Sequence, residues 1–165
     1  MTAPLRLALR AAGLWLLLTA AACAQVTGPA ESLDRLPQSS VEIASGAARH
    51  RFDVWVADTA ARRAQGLMFV RSLDADRGML FLFDEPRYAS FWMQNTHVSL
   101  DLLFVAADGR ILNIVERATP LSTDPLLSRG PAAMVLEVLG GTSERLGIRP
   151  GDRLVHPAPK AALTR

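Results

Sequence analysis

Apolar and polar residues alternate along much of this chain with the two-residue period of strands. Over residues 49–57, Phe52, Val54 and Val56 fall on one side and Asp53, Trp55 and Ala57 on the other, the pattern of a half-buried strand; a shorter strand-like stretch covers 41–44. Asp58 and Thr59 offer side-chain oxygens to cap a helix whose Ala60, Ala61, Ala64, Leu67 and Met68 line one stripe. Gly66 either ends that helix or marks a turn packed too closely against the sheet for a side chain. A polar loop at 74–78 leads into Met79-Leu80-Phe81-Leu82-Phe83, apolar on both faces and so read as a buried strand. Pro86 turns the chain within 84–87, and a strand over 88–93 follows. Residues 100–106 and 110–117 form a hairpin through Asp108-Gly109. Beyond a Pro- and Ser-rich loop at 118–131 lie a strand over 132–139, a one-turn helix capped by Thr142 or Ser143 and ended by Gly147, a turn at Pro150-Gly151-Asp152, and a last strand over 153–156. Many short strands and two short helices predict an α+β fold, mainly antiparallel β, with a partly closed barrel as its candidate architecture.

The first residues follow a different pattern. Arg6 and Arg10 precede a short apolar stretch at 11–18, and small residues run from 19 to 24, the order of a secretory signal peptide over residues 1–24. The stretch is shorter than the roughly 20 residues a membrane-spanning helix needs. Cleavage after Ala24 would release Gln25; processing at Cys23 would instead leave a lipid on that thiol, although Ala20 stands where the lipid route usually has Leu. Residues 25–40, rich in Gly, Pro, Ser and charge, read as a flexible linker. One globular domain over 41–157 and a tail at 158–165 complete the chain, and the expected location is the periplasm or the envelope.

Processing alters the charge. The whole chain carries 18 basic and 16 acidic residues; removing Arg6 and Arg10 leaves 16 of each, so the mature chain is neutral. With no basic run longer than Arg62-Arg63, nucleic acid is not an expected partner, and a membrane is one only through a lipid on Cys23. Cys23 is the sole cysteine, which excludes a disulfide framework and a cysteine nucleophile in the domain.

Candidate chemistry gathers at Trp92-Met93-Gln94-Asn95-Thr96. As a binding rim, Trp92 supplies a flat apolar platform with Met93 beside it, and Asn95 and Thr96 supply directional polar groups. As a structural corner, Asn95 and Thr96 bond local backbone while Trp92 and Met93 fill the core. Asp101, Glu116 and Glu137 sit within strands among aliphatic neighbours, so any that points inward must be paired or neutralised. Asp101 in particular is expected to bond backbone donors near Asn95-Thr96, or an arginine. His50, His97 and His156 are isolated and match no metal-ligand spacing; no nucleophile elbow or phosphate-binding glycine loop occurs, and no cofactor is indicated.

These residues together resemble the domain-of-unknown-function 192 family over about residues 54–154. The resemblance is carried by Gly66-Leu67-Met68 with Arg71, Arg77-Gly78-Met79-Leu80-Phe81, Phe91-Trp92-Met93 with Asn95-Thr96, Leu100-Asp101 with Phe104, Asp108-Gly109, Glu116 with Pro120, Leu136-Glu137, and Gly147 with Gly151-Asp152. It implies a compact, mostly β fold with small helices, often exported, and it implies no reaction. Two functions follow for the exported domain. The first is a non-catalytic envelope module binding a small molecule, glycan or protein partner through Trp92, Met93, Asn95, Thr96, Asp101 and Glu137. The alternative is a small periplasmic hydrolase or lyase using Asp101, Glu116 or Glu137 with His97. The two differ in whether a carboxylate meets His97 in an open cleft.

Overall fold

The alternation over 41–57 becomes a hairpin of two long strands, β1 (Gln38–Ser45) and β2 (Ala48–Ala57), paired antiparallel from Gln38↔Trp55 to Ser45↔Ala48. The computed structural model describes residues 32–156, so the expected signal peptide, the lipidation candidate Cys23 and the tail lie outside the described residues. A single 3-10 turn at Leu33–Arg35 precedes β1. Residues 38–40, assigned to the linker from composition, belong to β1, because residues 53–55 of β2 offer them a ladder.

From β2 the chain crosses through α1 (Ala60–Gln65) and returns in β3 (Arg77–Arg87). A crossover that carries a helix brings the chain back in the same direction, and β2 and β3 are accordingly parallel within a sheet that is otherwise antiparallel. β3 pairs with β8 (Ala132–Leu139), β8 with β5 (Leu100–Val105), and β5 with β6 (Ile111–Ala118), while β9 (Arg153–Val155) flanks β1. The order β6-β5-β8-β3-β2-β1-β9 curls into a half-barrel, the mostly β, α+β fold expected. Its two edges touch where Arg110 bridges Arg153 and where the Leu154 N–H donates to the Gly109 carbonyl at 2.8 Å. Gly109 permits this contact: its φ is +85°, and a Cβ there would lie 2.6 Å from the Leu154 oxygen.

Two apolar layers result. Inside the curl lie Val41, Ile43, Phe52, Val54, Leu103 and Leu136; on the outer face of β3, β5 and β8 lie Met79, Phe81, Leu102, Phe104 and Val135, covered by Leu67, Met93 and Val98 from the connecting segments. β3 and β5 are buried on both faces, which explains their nearly unbroken apolar runs. Pro86 does not end β3. The strand continues to Arg87 across a register shift between Leu82 and Arg87, an irregularity that accommodates a residue without an N–H. The strand expected over 88–93 is reduced to β4 (Ser90–Phe91), which pairs with β7 (Leu126–Leu127) inside the stretch read as a loop. None of the described helices is long and apolar enough to cross a membrane.

Candidate functional site

A cleft of about 400 Å³ opens on the outer face of the half-barrel, between α1 and the Trp92–Thr96 corner, with β3 and β8 as its floor. One wall is set by local sequence. The Thr59 hydroxyl accepts the Arg62 N–H at 3.2 Å and starts α1, and Gly66, with φ +50°, ends it. A Cβ on Gly66 would lie 3.3 Å from a ring carbon of Phe81, so both sequence readings of this glycine hold: it stops the helix, and it lies against the sheet. Phe81 meets Phe91 edge-on at 4.9 Å, and Phe91 meets Phe104 in the same manner at 6.0 Å, which ties the cleft lining to the core. At the mouth, the guanidinium groups of Arg63 and Arg87 lie 5.9 and 4.3 Å from the centroid of Phe83.

The opposite wall is the corner that the sequence left between two readings, and it has features of both. Met93 is buried and Thr96 is 5% exposed, whereas Trp92 is 52% exposed and lines the cleft. Asn95 adopts a left-handed φ of +57° on the surface, its carbonyl accepting the Phe69 N–H at 2.8 Å and its amide 3.9 Å from Met68 Sδ. The Thr96 carbonyl accepts the Leu121 N–H at 3.1 Å. Phe69 and Leu121 are themselves left-handed, with φ of +67° and +63°. Three non-glycine residues in this conformation, joined by these backbone bonds, make the corner a rigid frame that costs backbone strain and holds Trp92 at the rim.

Glu137 stands on the cleft floor. On β8 it registers with Met79 of β3 and Leu102 of β5, both fully buried, and it is itself only 4% exposed. Among the described residues, no hydrogen bond or ion pair reaches its carboxyl group. Burial pushes its pKa from the ordinary 4.5 up to about 8, so the group is largely neutral at pH 7.

Asp101 does not join the cleft. It is fully buried, and its Oδ1 accepts the N–H groups of Arg117 (2.8 Å) and Gly141 (2.9 Å) while Oδ2 accepts that of Ser143 (2.7 Å). Its donors are backbone groups, as expected, but they come from β6 and the start of α2 (Thr142–Leu146), not from the Asn95-Thr96 turn or an arginine side chain. This carboxylate also replaces the expected capping by Thr142 or Ser143, since the N-cap position is Gly141 and no local side chain caps the helix. Glu116 and His97 are exposed, and no hydrogen bond or ion pair joins His97 to Asp101, Glu116 or Glu137. No group of His, Cys, Asp and Glu suited to a metal ion occurs among the described residues.

Of the six binding candidates, Trp92, Thr96 and Glu137 therefore line the cleft, Met93 and Asn95 support it, and Asp101 serves the fold elsewhere. The sequence reading missed Arg63, Arg87 and Phe91 as cleft residues. Gly66 was the one signal that a close-packed wall existed, and nothing in the linear pattern placed Arg87 over Phe83.

Among the solved structures that match, two resemble the chain over most of their own length. One, from Sinorhizobium meliloti 1021 and provisionally described as a transcription regulator, is 43% identical, with 73% of this chain and 95% of that one covered at a TM-score of 0.72. The other, a protein of unknown function from Novosphingobium aromaticivorans DSM 12444, is 37% identical, with 78% and 99% covered at a TM-score of 0.70. No curated protein matches the chain. The model of the family DUF192, described as an uncharacterized ACR, matches residues 41–156, and the chain belongs to that family.

Proposed function

We propose that this protein is an exported, non-catalytic module of the cell envelope that binds a small molecule in the cleft between α1 and Trp92. The observation that carries the reading is Glu137, a buried carboxyl group with no protein partner on the floor of an aromatic cleft. Its carboxyl group faces the cleft, where a ligand's donor would meet an acceptor that no protein group occupies. The cleft volume lies within the range of small-molecule sites, and its few polar groups among aromatic walls suit such a ligand better than a flat protein partner. Binding is favoured over hydrolase or lyase chemistry because, among the described residues, Glu137 is the only acid lining the cleft and no histidine lines it. The regulator description of one relative is not carried over, since no basic run in this chain exceeds Arg62-Arg63 and the expected mature chain is neutral.

The test uses the mature chain carrying Trp55→Phe, so that Trp92 reports alone. Its emission should be quenched by acrylamide, and a small molecule that raises the unfolding midpoint should also shift that emission and protect it. Trp92→Ala should weaken binding by about tenfold or more while changing stability by about 1 kcal/mol or less, because half of the side chain already faces solvent. If Trp92 is fully protected in the free protein, or if no compound in a broad panel moves its emission, the reading fails. Export is checked by the intact mass of the protein recovered from the envelope fraction. A start at Gln25 identifies the soluble form, a diacylated Cys23 the tethered form, and a start at Met1 overturns export.

A further inference from the structure

We propose that the cleft takes a small organic ammonium, a protonated amine whose nitrogen meets the Glu137 carboxylate and whose apolar body lies along Phe81, Phe91 and Leu67. The inference rests on the cleft being a ligand site and adds the chemistry of the ligand. The elements packed around Glu137 present Met79 and Phe81 from β3, Leu102 from β5 and Leu67 after α1, none of them ionisable. The charged groups that share the cleft are Arg63 and Arg87, both cationic. Arg63 is committed: its Nη1 donates to the carbonyls of Asp58 and Leu82, each at 2.8 Å, which holds it at the mouth. Arg87 stacks on Phe83 and has no ion pair with Glu137. Both oxygens of the buried carboxyl group therefore remain to be matched from outside the protein.

A protonated amine supplies what the site lacks. It brings one positive charge and three N–H donors on a compact head that can reach a recessed group, and the ring faces nearby attract a cation that has shed its water. A metal ion would need several hard ligands, and among the described residues Glu137 has no companion acid or histidine in the cleft. A neutral hydrogen-bond acceptor could use Glu137 only in its protonated form, which makes proton release the decisive observable. In the free protein the group is largely protonated at pH 7 and beside an ammonium it ionises, so binding should expel about one proton into the buffer.

Trp92 emission in the Trp55→Phe mature chain and isothermal titration are followed with phenylalkylamines of one to four methylenes and the matched phenylalkanols. At pH 7 at least one amine should bind about tenfold or more tighter than its alcohol. Titration in two buffers of different ionisation enthalpy should show about one proton released per amine bound. Both the preference and the release should vanish in Glu137→Gln, whose unfolding midpoint confirms that it folds. An alcohol series that binds as well as the amines, binding without proton release, or amine affinity unchanged by Glu137→Gln overturns the inference. If the amines fail while other compounds still shift Trp92 emission, the ammonium assignment alone falls and the cleft remains a ligand site; if nothing shifts it, both fall.

Discussion

Asp101→Ala should destabilise the domain by about 3 to 5 kcal/mol, far more than one aspartate on a sheet surface would. The substitution deserts three backbone donors together, the N–H groups of Arg117, Gly141 and Ser143, each now bonded to a charged acceptor at 2.7 to 2.9 Å. The local geometry depends on that acceptor. The β5–β6 ladder shifts register between Leu100 and Leu102, Arg117 takes a left-handed φ of +47°, and Asp101 receives its N–H. The same carboxylate starts α2, which has no cap of its own. Denaturant unfolding followed by circular dichroism measures the loss. Glu144→Gln provides the contrast: its bridge to Arg117 is exposed on both sides and screened by solvent, so the unfolding midpoint should hardly move. An unchanged midpoint for Asp101→Ala would show that water replaces the carboxylate and that its three backbone bonds contribute no stability.

The second large effect is a dependence of stability on pH that Glu137→Gln should abolish. The folded pKa of Glu137, about 8, exceeds its ordinary 4.5. Between those values the folded state retains a proton that the unfolded chain has lost. This contribution to stability is complete below pH 4.5, declines as the pH rises, and is gone above about 8. At about 1.4 kcal/mol per pH unit, the whole window amounts to on the order of 3 to 5 kcal/mol. The Gln variant should match the parent near pH 4 and exceed its stability by that amount near pH 9, because glutamine has the shape of the protonated acid and never ionises. Urea unfolding of both proteins from pH 4 to 9 gives the comparison, and parallel profiles would show that Glu137 is solvated.

Much of the fold was legible in the linear pattern because it depends on short-range chemistry. Side chains two apart share a strand face, which placed Phe52, Val54 and Val56 together in the buried layer inside the curl. The Asp108-Gly109 turn joined β5 to β6, with the Asp108 carboxylate accepting the Arg110 N–H at 3.0 Å, and Thr59 capped α1 as its hydroxyl suggested. Family membership also followed from residues whose order along the chain is itself the signal. The same local rules misjudged Pro86 and residues 38–40, where a partner strand decided the outcome.

What the sequence by itself determined is therefore most of the long strands and both α-helices, the α+β class and the surface around Trp92 as a candidate site. Only the tertiary structure decided which carboxyl group serves which purpose. Asp101 and Glu137 both lie inside strands among aliphatic residues, and alternation alone cannot tell them apart. It fixes which neighbours share a face but not what covers that face. On β5, Arg117 of β6 and the start of α2 turned three N–H groups toward Asp101 and satisfied it within the protein. On β8, the cover was α1 and the Trp92 corner, which brought aromatic rings and a cleft but no hydrogen-bond donor to the carboxyl group, and so left Glu137 unpaired on the cleft floor and largely protonated at pH 7. The difference arises from long-range packing, because a donor reaches a buried acid only when segments distant in sequence arrive with their N–H groups pointing inward.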